Sequence, residues 1–226
     1  MILVLWDIDG TLVDSAGHGR HAFDEAYEAV TGTPFGAEVE MAGRTDHQIA
    51  MEMLGRRGAA AGSELPRLLD ELVGALERRR ELIRDEGRAY PGTHALLERL
   101  SETAGVAQSL LTGNVEVNAA LKVSAVGLER WLDFELGAYG SDPHERRSDL
   151  VAVARRRAEA KLGEAVEPVL VGDTPLDVRA AREAGARAVA VATGFSSIED
   201  LRAAEPDALL GDLSHTEAAL AAITRR

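Results

Sequence analysis

The chain's 226 residues suit one large domain, or one domain with a smaller inserted module. An apolar fraction of 46% supports a packed core, 28% charged residues suit a soluble globular protein, and the lack of Cys excludes disulfide and thiolate chemistry. A formal net charge of -13 argues against nucleic acid or an anionic membrane as a partner, and no apolar stretch is long enough to span a bilayer.

The first apolar run, MILVLW (1–6), is too short for an export signal and lacks its basic flank, so a cytoplasmic protein is expected. It reads as a strand buried on both faces. The stretch DIDGTLVDS follows, placing Asp7 and Asp9 on a tight turn at the strand's end. Two carboxylates so close repel each other unless something positive lies between them.

Residues 16–88 show no convincing strand. Periodicity predicts helices over about 18–30, 46–57 and 64–86, with TGTPFG (31–36) as the first break. Such a contiguous block predicts an α-helical cap of residues 16–88 inserted into a core of 1–15 and 89–226, with AYPGTH (89–94) as the return hinge. Within the cap, His18 and His21 read as surface residues, Met41, Met51 and Met53 as packing, and ERRR (77–80) as a solvated helix face. Thr45 is the expected N-cap of the second helix, with Asp46 in its first turn. GHG (17–19) is no dinucleotide fingerprint, because it does not follow the strand directly.

Beyond the cap, apolar runs alternate with amphipathic stretches. VAQSLLT (106–112), EPVLVGD (167–173), RAVAVAT (187–193) and DALLGD (207–212) read as strands. Helices are predicted over 93–103, 115–126, 148–162, 175–184, 198–204 and 214–223, with Gly105, Gly127 and Gly185 near helix ends. This alternation predicts an α/β fold, a doubly wound parallel sheet.

Ligands of such sheets bind beyond the carboxyl ends of the strands. Those ends carry Asp7, Asp9 and Thr11; Thr112, Gly113 and Asn114; and Asp173, with Asp177 just beyond. An Asp or Thr after one strand commonly caps the next helix, but three such ends together point to a site. Clustered carboxylates without His or Cys suit a hard cation, Mg²⁺. Thr112 and the N–H groups after it can hold phosphoryl oxygens, and a lysine can add a compact positive charge. The chain has only two lysines, Lys122 and Lys161, against 23 arginines.

DIDGTL, LLTGN, a downstream lysine and VGDTPLDVRAA occur in the order found in haloacid dehalogenase-like phosphohydrolases. The chain resembles that superfamily over residues 3–15 and 105–194, with phosphoglycolate-phosphatase-like members as the nearest general likeness, and its helical insertion resembles their small cap. The resemblance implies that Asp7 is the nucleophile, forming an aspartyl-phosphate. It implies that Asp9 protonates the leaving oxygen and then activates water, and that Thr112 hydrogen-bonds the phosphoryl group. By the same resemblance Asp7, the backbone carbonyl of Asp9 and Asp173 bind Mg²⁺, with Asp177 behind them or acting through water. Thr11, Gly113 and Asn114 are expected substrate contacts.

The chain departs from the family pattern at its third motif. Many relatives carry lysine in a K-P-x-P-D stretch, where this chain reads DPHERRSDL (142–150) and Glu145 stands near the lysine position. Lys122 is the expected replacement, with Arg146 or Arg147 as alternatives. In the cap, Arg44 of MAGRTDHQI (41–49) is a candidate to hold an anionic leaving group. The expected function is a Mg²⁺-dependent phosphatase of a small phosphorylated metabolite, acting as monomer or homodimer. Phosphoglycolate, a sugar phosphate, a nucleoside monophosphate and pyrophosphate all remain open. A phosphomutase and a non-catalytic module that accepts phosphate on an Asp are the alternatives. A haloacid dehalogenase is disfavoured by the acidic Asp9, and a phosphonatase by a cap without lysine.

Overall fold

The computed structural model describes residues 1–57 and 62–225, so residues 58–61 of the predicted cap lie outside the described residues. The first run forms β1 (Ile2–Trp6), with every side chain buried. Successive side chains of a strand face opposite ways. Ile2, Val4 and Trp6 accordingly join one apolar cluster with Leu97 and Val169, while Leu3 and Leu5 join another with Leu150 and Leu170. A strand covered on both faces has no solvent side, which is why the run shows no polar alternation.

After the aspartate turn come β2 (Val13–Asp14), α1 (His18–Thr31), α2 (Asp46–Gly55), α3 (Glu64–Arg78), α4 (Arg80–Glu86) and β3 (Arg88–Ala89). Val13 pairs with Ala89 and Asp14 with Arg88, antiparallel, and Arg88 Nη2 donates to Asp14 Oδ2 at 2.8 Å. The chain leaves and rejoins the core across this ribbon. The helices between bury a cluster that includes Phe23, Tyr27, Met53, Leu54, Leu68 and Leu76, and Leu121 from later in the chain joins it.

Several local expectations change here. The single helix over 64–86 is two helices, because Arg79 leaves helical geometry at φ -98°, ψ 1°. Arg78 and Arg79 both reach the Glu25 carboxylate on α1, so ERRR ties two helices together rather than only facing water. Met53 is buried and Met41 packs at the cluster's edge, but Met51 is 41% exposed. His18 is buried, with Nε2 3.0 Å from Glu86 Oε2, joining the first helix of the insertion to its last.

The core continues with α5 (Thr93–Ser101), β4 (Val106–Leu110), α6 (Glu116–Ala125), α7 (Arg147–Leu162), β5 (Glu167–Gly172), α8 (Pro175–Glu183), β6 (Arg187–Val191), α9 (Ile198–Ala203), β7 (Ala208–Leu210) and α10 (Thr216–Thr224). Among the described residues the sheet is all parallel, in the order β4-β1-β5-β6-β7. The chain steps from β1 to β4 on one side and then crosses to β5 on the other, so strand order reverses at β1. Such a reversal opens a crevice at the strands' carboxyl ends. Trp6 is level with both Leu110 and Val171, so Asp7, Thr112 and Asp173 emerge at one edge.

Candidate active site

The turn after β1 is closed by its own backbone. Ile8 O accepts the N–H groups of Leu12 and Val13, each at 2.9 Å, and Asp7 N–H donates to Val171 O at 2.9 Å. Gly10 takes φ 87°, where side chains are strained. A Cβ there would also lie 2.4 Å from Asp173 Oδ2, so the turn can approach that carboxylate only as glycine.

Asp7, Asp173 and Asp177 each turn an oxygen toward a common point, all within 4.8 Å of one another. Thr11 Oγ1 donates to Asp173 Oδ1 at 2.9 Å, while Asp173 Oδ2 is buried with no partner. Asp177 Oδ2 accepts from the backbone and hydroxyl of Thr174 in the capping box of α8. Its Oδ1 accepts from Arg147 Nη2 at 2.6 Å, and the same nitrogen is 3.2 Å from Asp7 Oδ2. Burial, together with repulsion from Asp177 and against the pull of Arg147, pushes Asp7 up to about 7. Burial and repulsion from Asp7 and Asp177 push Asp173 up to about 8. Carboxylates in that condition favour either a proton or a cation. An orphaned oxygen in an all-oxygen donor set fits a hard divalent ion.

The other half of the site is built on Thr112, Asn114 and Lys122. Lys122 Nζ lies 2.6 Å from Asp9 Oδ2 and 2.7 Å from Asn114 Oδ1. The Asn114 amide donates to Asp9 Oδ2 and to Thr112 Oγ1, each at 2.8 Å. The Thr112 hydroxyl also accepts from Asn114 N–H and, among the described residues, donates to no protein acceptor, so its proton is available to an oxygen in the crevice.

The structure redistributes several residues named from the sequence. Thr11 is fully buried and spends its hydroxyl on Asp173, so it supports a carboxylate rather than touching substrate. The Arg44 guanidinium is consumed by Glu52, Glu40 O and Gln48 O, so it is not free to hold an anion. Of the two loop arginines, Arg147 is drawn in, while Arg146 stays 70% exposed beside Asp149 and Glu183. Gly113 is held by close approach, since a Cβ on it would lie 2.1 Å from Arg44 O. Sequence reasoning missed Asp46 as a site residue. Its N–H donates to Gly113 O and its Oδ2 accepts Val115 N–H, both at 2.8 Å, clamping α2 onto the loop that carries Thr112 and Asn114. Its position as the first residue of a helix signals only a favourable charge there.

Buried carboxylates facing two fixed cations across a switch-point crevice are the equipment of an enzyme acting on an anionic group. A sequence profile described as haloacid dehalogenase-like hydrolase matches residues 2–185, and the chain belongs to that family. It is similar to the phosphoglycolate phosphatase of Agrobacterium fabrum, 28% identical over 96% of this chain and 91% of that one. The phosphoglycolate phosphatase of Caulobacter vibrioides is 30% identical over 85% of this chain and 80% of its own. A solved β-phosphoglucomutase of Clostridium difficile superposes with a TM-score of 0.74 over 99% of this chain and 97% of that one; at 15% identity it shows a shared fold alone. The curated relatives are phosphatases, and this chain is an enzyme of that kind. No helix among the described residues is long and apolar enough to cross a membrane.

Proposed function

We propose that this enzyme hydrolyses a small phosphate monoester through an aspartyl-phosphate on Asp7, with Mg²⁺ as its cofactor. The carrying observation is the unpartnered Asp173 oxygen beside Asp7, at the edge where the Thr112 hydroxyl is free to donate. Mg²⁺, held by Asp7, Asp173 and the Asp9 backbone carbonyl, would neutralise phosphoryl oxygens so that an anion can approach a carboxylate. The Asp7 carboxylate attacks phosphorus, and the bond to the leaving oxygen breaks as Asp9 gives that oxygen a proton. Water then attacks phosphorus, Asp9 takes a proton from it, and the bond to Asp7 breaks to release inorganic phosphate. Thr112 and Lys122 hold the phosphoryl oxygens, and Arg147 with Thr174 fixes Asp177 behind the metal carboxylates. Residues 16–88 are proposed as the cap over this crevice.

The test is phosphate release from a panel of phosphorylated metabolites with Mg²⁺, before and after chelation. Activity is expected to vanish on chelation and return with Mg²⁺. Full turnover by Asp7→Asn, with deamidation excluded, would sink the covalent step.

A further inference from the structure

From the cavity above Asp7 we infer that the leaving group of the substrate is an uncharged alcohol with an apolar body, not an acid. This inference rests on the phosphatase reading and deepens it. The cavity is about 350 Å³, near the small end of ligand pockets. Its floor holds Asp7, Asp9, Thr112, Asn114, Lys122 and Arg147, where the proposed phosphoryl chemistry takes place. Its far wall is different in kind: Phe23 of α1, Ile49 of α2, Leu72 and Leu76 of α3, and Val39 and Met41 from the segment before α2. At the mouth stands Phe195, 87% exposed, an aromatic ring left in water beside an apolar wall.

The cations around the cavity are committed. Arg20 donates to Val39 O at 2.9 Å and Ala37 O at 3.3 Å. Arg44 is held by Glu52 and two carbonyls. Lys122 and Arg147 serve the carboxylates on the floor. The walls also carry acidic side chains, Glu40 and Asp46, with Asp14 already paired to Arg88. A substrate carboxylate or second phosphate would lose its hydration here and find Arg44, Lys122 and Arg147 paired to carboxylates and Arg20 turned to backbone carbonyls, which is unfavourable. Neutral polar groups are on offer instead: Ser15 and Tyr90 line the cavity, and so does Asn118, buried on α6 one turn before Lys122, with Oδ1 unpartnered. It can accept a hydrogen bond from a hydroxyl without asking for charge.

The experiment compares kcat/KM with Mg²⁺ for three esters of primary alcohols: ethyl phosphate, benzyl phosphate and 2-phosphoglycolate. One methylene in an apolar pocket discriminates about 10–200-fold. Benzyl phosphate is therefore expected to exceed both of the others by roughly tenfold or more. Phe195→Ala, at an exposed position where folding is undisturbed, is expected to lower the benzyl-to-ethyl ratio; an unchanged ratio removes Phe195 from the contact. Phosphoglycolate turned over as well as or better than benzyl phosphate would overturn the inference and leave the phosphatase intact. No hydrolysis of any of the three would overturn both.

Discussion

Lys122 Nζ sits 2.6 Å from Asp9 Oδ2, and the lysine side chain is 6% exposed against 41% for the aspartate. The lysine is thus fixed from within, while its partner still faces the crevice. A phosphoryl group arriving there can take the lysine's charge and release Asp9 for proton transfer. Lys122→Met keeps most of the apolar stem and removes the charge. Steady-state kinetics should show kcat/KM lowered about 10²–10³-fold, the usual effect of losing one donor to developing charge. Binding of a phosphate mimic should weaken in parallel. Wild-type values for both would show that Lys122 serves only Asp9's position.

Arg147 bridges Asp7 and Asp177 from a buried position, so its charge offsets that of two neighbouring carboxylates. Arg147→Met strips two buried carboxylates of their shared partner. Removing one member of a buried pair destabilises by about 3–5 kcal/mol. Urea unfolding of the metal-free protein should register that loss, and turnover should fall as well. Arg146→Met, at an exposed position, should change neither. Equal effects from the two variants would count against the assignment.

Most of this architecture can be read from strand ends. The apolar runs and their terminal Asp and Thr residues lie in the sequence much as they lie in the sheet, because strands buried on both faces leave an unbroken apolar signal. The β2–β3 ribbon escapes notice because two-residue strands have no period. Arg146 and Arg147 could not be separated, since neighbours at a helix start differ by about 100° in direction and only the entry of α7 decides which one faces inward. Nothing local in the sequence turns Thr11 or Arg44 away from substrate, because their partners are set by tertiary structure. The acceptor of Thr11 is 162 residues away, and the Glu52 partner of Arg44 appears only once α2 has formed.

The cluster of Asp7, Asp173 and Asp177 carries a pH signature. Asp7 at about 7 and Asp173 at about 8 are raised above their unfolded values, so the metal-free fold binds more protons than the unfolded chain. Their contribution to stability is complete below the ordinary carboxylate range and is lost as pH rises toward 8. Melting of the metal-free protein is expected to move to lower temperature between pH 5 and about 8. Mg²⁺ competes with those protons, so its stabilising effect should grow over the same interval. A Mg²⁺ shift of equal size at pH 5.5 and pH 8, roughly the ends of that range, would contradict the cluster as the metal site.

Asp46 makes the remaining structural link, and it can be tested by separating its oxygen from its charge. Its carboxylate is buried, which pushes it up to about 6 despite the attraction of Lys122, yet it still accepts Val115 N–H at 2.8 Å. That bond satisfies a donor at the start of α6, the helix that carries Asn118 in its first turn and Lys122 in its last. Asp46→Asn keeps an acceptor oxygen and removes the charge, so it should retain the clamp. Asp46→Ala leaves the donor bare and should destabilise by about 0.5–2 kcal/mol, the range for a lost helix cap. Because one of the two bonds between α2 and the Thr112 loop is then lost, leaving only Asp46 N–H to Gly113 O, kcat should fall for Ala and not for Asn. Gly113→Ala should imitate the alanine variant by a different route, since its Cβ would meet Arg44 O at 2.1 Å and force the same two segments apart. Loss of activity in Asp46→Asn equal to that in Asp46→Ala would show that the charge beside Lys122, rather than the clamp, is what Asp46 supplies.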